Sequence, residues 1–137
     1  MEITLRNLQK KIPVPQAKIL KAAKAAFRKL EKRGHFKVAP LLLLSVVFVG
    51  TKRMRRVNRA YLGHDYATDV LTFDLGDGNG EVIVCPRVAF VNARAHRTST
   101  ENEIILYVVH GILHLAGFND HDPKDIIKMR AMEKELL

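Results

Sequence analysis

The chain has 137 residues, 47% of them hydrophobic, enough to bury a core without disulfides and to exclude a disordered polymer. Its formal net charge of +9 favours polyanionic partners, nucleic acid ahead of anionic membrane, without itself assigning an activity. The lone cysteine, Cys85, excludes an internal disulfide and suits a reducing compartment. One domain over residues 1–137 is expected. Met1–Thr4 shows no secretory-leader pattern, and the longest apolar run, Leu41 to Val49, falls far short of the ~20 residues of a membrane span. The expectation is a soluble, cytoplasmic protein with no membrane association.

In chain order, Glu2 to Leu8 alternates Ile3, Leu5 and Leu8 with polar residues and reads as a short strand. Pro13 and Pro15 break that pattern and open a helix over 16–33, with Leu20, Ala23, Phe27 and Leu30 as its apolar row. Lys21, Lys24, Arg28 and Lys32 form a basic row on another side. Leu41 to Val49 is apolar on both faces, the pattern of a central strand covered on each side. Thr51 is expected to cap a helix reaching Leu62, with Met54, Val57 and Tyr61 inward. Lys52, Arg55, Arg56 and Arg59 then face outward, where Arg55, Arg56 and Arg59 are candidate phosphate contacts.

Val70–Asp74 and Gly80–Cys85 read as strands joined by a glycine-rich reversal, Gly76-Asp77-Gly78-Asn79-Gly80. No helix follows that loop and it lacks Gly-Lys-Ser/Thr, so it is not a phosphate loop. Pro86 opens a helix to about Arg97. Thr100 and Glu103 read as a capping box for a helix over 101–116, apolar nearly all round and therefore central. A last amphipathic helix starts at Asp122-Pro123, with Ile126, Met129 and Leu136 inward.

The chemistry concentrates in His110-Gly111-Ile112-Leu113-His114-Leu115-Ala116-Gly117-Phe118-Asn119-Asp120-His121. Histidines four apart share one helix face, close enough to meet one metal ion. Gly117 supplies the left-handed residue that ends the helix, so the chain folds back to deliver a third ligand. Asp120 is slightly favoured by spacing, and His121 is nearly equal by residue type. Three protein ligands with an open position is the layout of a catalytic zinc, one per chain, although nickel, copper or manganese also suit imidazole. Water in that position has its pKa lowered to about 7, consistent with hydrolysis of a phosphodiester or an amide. Zinc proteases of the His-Glu-x-x-His kind need a glutamate where this chain has Gly111, so the phosphodiester fits better. In that reading His110 and His114 act catalytically through the metal and its water. His64 and His96 are candidates to line the cleft, and Asp69, Asp74, Glu81 and Glu103 are conceivable bases.

The chain resembles the YbeY family of bacterial metal-dependent endoribonucleases nearly end to end. The resemblance runs through Asn58-x-x-Tyr61, Thr68-Asp69-Val70-Leu71-Thr72-Phe73, Gly80-Glu81-Val82-Ile83-Val84-Cys85-Pro86 and His110-Gly111-x-Leu113-His114-Leu115-x-Gly117-Phe118. It implies an α+β fold, a small mixed four-stranded sheet wrapped by about five helices, with a zincin-like metal helix. It also implies a zinc site, cleavage of single-stranded RNA, and a role in maturing ribosomal RNA, the 16S 3′ end especially. The implied partners are ribosomal RNA, the small ribosomal subunit and ribosome-associated proteins, with ribosome quality control as context. Asp120 falls where the family has its third-ligand histidine, and His121 matches it after a one-residue insertion. Leu62 stands where the family usually has an arginine, and Ala67 where a proline is common. A second reading, from a different class, is a non-catalytic ribosome-associated RNA-binding factor with a structural metal.

Overall fold

The computed structural model describes residues 1–137. The elements run β1 (Glu2–Asn7), α1 (Gln16–Lys32), β2 (Leu43–Phe48), α2 (Thr51–Leu62), β3 (Val70–Gly76), β4 (Asn79–Val84), α3 (Pro86–Ala95), α4 (Thr100–Leu115) and α5 (Pro123–Leu136). The sheet order is β1-β2-β4-β3. β1 with β2 and β2 with β4 are parallel, and β3 with β4 is antiparallel. This is the mixed α+β sheet the sequence implies. Parallel neighbours need crossover connections, which α1 supplies between β1 and β2. The β3–β4 hairpin turns on Asp77-Gly78, both at positive φ as its two-residue turn requires.

The apolar run of β2 has two covered faces, as its composition predicts. Leu44, Val46 and Phe48 join the main core with α1 and α4, while Val47 joins Met54 of α2 on the other face. α4 is the hub: it packs against α1, α3, α5, β3 and β4. Ile104, Val109, Ile112 and Leu113 on it are fully buried, each contributing roughly 1.5–3 kcal/mol of hydrophobic stabilisation. No helix is long and apolar enough to cross a membrane.

Several local expectations are corrected. α4 is capped by Ser99, whose hydroxyl accepts from the Asn102 N–H at 3.1 Å. The Thr100–Glu103 box therefore does not form: Glu103 sits one residue too far along and turns inward. Gly50, not Thr51, stands at the cap of α2, with no side-chain hydrogen bond. On that helix Asn58 is buried while Tyr61 is exposed, because the last turn passes the sheet and leaves Tyr61 edge-on to Phe73. In α1, Ile19 is buried in place of the half-buried Leu20. In α5, Ile126 is exposed and Glu133 takes a place in the buried row.

Candidate metal centre and its cleft

One face of α4 carries Glu103, Tyr107, His110 and His114, spaced four, three and four residues apart, so the side chains stack along the helix. All four line a cleft of about 780 Å³ with residues of β3, the 64–69 loop and α5. The adjoining flank of the helix presses on the sheet at Gly111. A Cβ there would meet Val82 Cγ2 at 2.6 Å, so no larger residue fits without displacement. The glutamate of a His-Glu-x-x-His protease is thus excluded by packing as well as by sequence.

After Leu115 the helix ends in a Schellman motif. The Phe118 N–H donates to the Leu113 carbonyl and the Gly117 N–H to the His114 carbonyl, both at 3.0 Å, with Gly117 at φ 101°. Phe118 then packs on the core and against His35, with ring centroids 5.2 Å apart. This anchored turn brings Asp120 back over the histidines.

Three ligand atoms converge. His110 Nε2 and His114 Nε2 are 3.0 Å apart, and Asp120 Oδ2 lies 3.3 Å from the first and 3.6 Å from the second. A tetrahedral zinc with bonds of about 2.0–2.2 Å requires ligand–ligand edges of roughly 3.3–3.6 Å, so the triangle fits one such ion with a small adjustment at the shortest edge. Two imidazole nitrogens and a carboxylate are also the donor set zinc accepts. Burial first, then the neighbouring His110, pushes the His114 pKa down. Asp120 and a backbone hydrogen bond at Phe118 oppose that shift without reversing it. The neutral imidazole, the form that ligates, is favoured.

His110 is oriented from behind. Its Nδ1 lies 3.3 Å from Glu133 Oε2, and a carboxylate only accepts, so Nδ1 donates and Nε2 keeps its lone pair for the cleft. Glu133 in turn accepts from Arg130 Nη1 at 2.8 Å. Burial raises the Glu133 pKa, but the His110 hydrogen bond and Arg130 outweigh it and hold the carboxyl below its ordinary value. A second pair lies further along the wall, where His96 Nδ1 donates to the buried Glu103 Oε1 at 2.9 Å. Between the two pairs, the Asn92 side-chain amide donates to the Tyr107 hydroxyl at 2.9 Å, and burial pushes the Tyr107 pKa up, keeping it a neutral hydroxyl.

The sequence-derived candidates therefore separate. His110, His114 and Asp120 meet, while His121 lines the cleft outside the triangle. His64 and His96 also line it, as do Asp69, Asp74 and Glu103, whereas Glu81 does not. Leu62 is on the same wall. Arg55, Arg56 and Arg59 do not line the cleft: with Lys52 they form a separate outward groove beside Asp65. There Arg55 Nε and Nη2 donate to Asp65 at 2.8 and 3.1 Å, and that hydrogen bond holds the Asp65 carboxyl below its usual range. Glu133 and Arg130 escaped the reading of the sequence. The available signal was a glutamate on the apolar row of α5, between Met129 and Leu136.

The fold and the triangle define a class: an α+β domain whose central helix carries a His–His–carboxylate candidate metal centre on the wall of a cleft. Residues 4–137 match the family model described as endoribonuclease YbeY. The chain belongs to that family. The endoribonuclease YbeY of Chlorobium luteolum is 39% identical over 99 residues, covering 70% of this chain and 72% of that one. Its counterpart in Chlorobium phaeovibrioides is 33% identical over 140 aligned positions, covering 100% of this chain and 89% of the relative. Among solved structures, the solution structure of TM1509 from Thermotoga maritima aligns with a TM-score of 0.64 at 30% identity. It covers 98% of this chain and 85% of that one.

Proposed function

We propose that this protein is a zinc-dependent endoribonuclease that hydrolyses single-stranded RNA, with His110, His114 and Asp120 as the metal ligands. The observation that carries the reading is the triangle of 3.0, 3.3 and 3.6 Å edges on the cleft wall. Zinc held there supplies a Lewis acid for a phosphoryl oxygen and lowers the pKa of water toward 7. The chain's own residues do the rest. Glu133 fixes the His110 tautomer, and Gly111 leaves no protease base. Arg130, the one guanidinium among the cleft residues, shares the cleft with five carboxylates (Asp69, Asp74, Glu103, Asp120 and Glu133), is paired with Glu133 through Nη1, and offers its other N–H groups to a phosphate oxygen. The Arg55, Arg56 and Arg59 ridge serves as an outer phosphate contact, and His121 stands beside the ligands without joining them.

Membership in an endoribonuclease family supports RNA as the substrate class; the finer part of the proposal is ribosomal RNA, the 16S 3′ end in particular, and action on the small ribosomal subunit in its maturation and quality control. A cytoplasmic location agrees with the buried, unpaired Cys85. The test is cleavage of a single-stranded RNA by wild type and His114→Ala, each with zinc and with chelator. Cleavage only by zinc-loaded wild type is expected. Equal cleavage by the variant, or by chelated wild type, contradicts the proposal. RNA binding without turnover under every metal condition points instead to the non-catalytic binding factor.

A further inference from the structure

The metal cleft does not end at its own wall. A second groove of about 1020 Å³ runs between α1, α4 and α5, and four residues, His96, Glu103, Leu106 and Arg130, line both spaces. The two spaces therefore adjoin along a wall made by those four side chains. Beyond that wall the groove takes Lys18, Lys21 and Lys29 from a single face of α1. Lys18 is paired with Glu101 at 2.8 Å, whereas Lys21 and Lys29 have no acidic group in ion-pair range.

We propose that this groove is the path of the RNA strand on one side of the cut. The inference rests on the endoribonuclease reading above and adds where the strand leaves the metal cleft. Four arguments converge on a single-stranded polyanion as occupant. The groove adjoins the cleft that holds the candidate ligands. Its rim carries cations, a basic track for a phosphate backbone, beside an apolar lining that includes Ala22, Ala25, Ile105 and Leu106. Lys18 to Lys29 span about 16 Å of helix, the scale of a short single-strand site rather than of one nucleotide. Finally, His96, held by the buried carboxylate of Glu103, is 59% exposed and lines both spaces, within reach of a ligand that passes from one to the other. His96 lies too far from the triangle to take part in bond cleavage: Glu103 and His110 are seven residues apart, about 10 Å along the helix. It is a binding residue.

The test measures affinity of metal-free protein for fluorescent single-stranded RNAs of 4 and 12 nucleotides across a salt series, in wild type and in Lys21→Gln/Lys29→Gln. Thermal midpoint and zinc content check that the variant is folded. The wild type should prefer the 12-mer, with a steeper salt dependence. The variant should lose about tenfold in 12-mer affinity near 0.1 M salt, its slope shallower by about 1.4 for two lost single-strand phosphate contacts. An unchanged slope and preference in the variant overturns the proposal, as does a wild type with no length preference or one that binds an acidic peptide of equal charge as tightly. A wild type that binds the 12-mer through these lysines yet, zinc-loaded, cleaves neither RNA retains the groove and defeats the nuclease reading instead.

Discussion

Two buried glutamates hold two histidines on the same cleft wall, and the pairs end differently. Glu133 supports His110 from behind, and the far nitrogen of that imidazole meets His114 and Asp120. Glu103 supports His96 at a shorter distance, 2.9 against 3.3 Å, but no ligand set lies beyond it. The exposures differ as well: 14% for the His110 side chain against 59% for His96. A carboxylate–histidine pair is therefore not in itself a mark of a metal site. What distinguishes the first pair is the anchored turn after α4, which returns Asp120 to the open side of the histidine. The second pair has solvent and a groove in that place.

The largest effect expected from breaking this contrast is at His114. His114→Ala should abolish stoichiometric zinc binding in elemental analysis, because one imidazole and one carboxylate make a poor site, whereas His96→Ala should retain a full equivalent. Glu133→Gln comes next. Without the carboxylate behind His110, zinc affinity should fall about 10- to 100-fold in a competitive chelator titration, and excess zinc should restore binding. Glu103→Gln, the matching change at the other pair, should leave that titration curve where it is. Gly111→Ala should cost about 1–3 kcal/mol of stability through the collision with Val82, read as a lowered denaturation midpoint with zinc stoichiometry retained. The smallest effect is at the outer ridge. Arg55→Gln should leave the thermal midpoint unmoved, since its partner Asp65 is solvent-exposed and screened, while RNA affinity loses part of its salt dependence.

Much of this was legible in the chain because the local signals agreed. His110, Gly111, His114 and Gly117 fix the helix face, its close approach to the sheet and its end, and each is a short-range property. The two-sided apolar run of β2 and the Asp77-Gly78 turn are likewise local. Residues whose role depends on a distant element were not legible. Glu133 is 23 positions from His110, and only the packing of α5 on α4 brings them together. The choice between Asp120 and His121 turns on a loop whose course is set by Phe118 packing on the core. The α2 arginines are a different case: they face outward as their spacing predicts, but only the packing of α2 shows that they lie on a groove separate from the cleft, where Arg55 and Arg59 share Asp65. Tyr61 and the Thr100–Glu103 box show how one residue of offset at a helix end changes what a side chain meets.

The central claim is that His110, His114 and Asp120 grip one zinc ion. X-ray absorption at the zinc edge of the loaded protein, run beside Asp120→Ala and His121→Ala, tests it most directly. The account predicts two imidazole nitrogens and oxygen ligands at about 2.0–2.2 Å, disturbed by the Asp120 change and untouched by the His121 change. A third imidazole that disappears in His121→Ala, or a sulfur ligand near about 2.3 Å from Cys85, contradicts it.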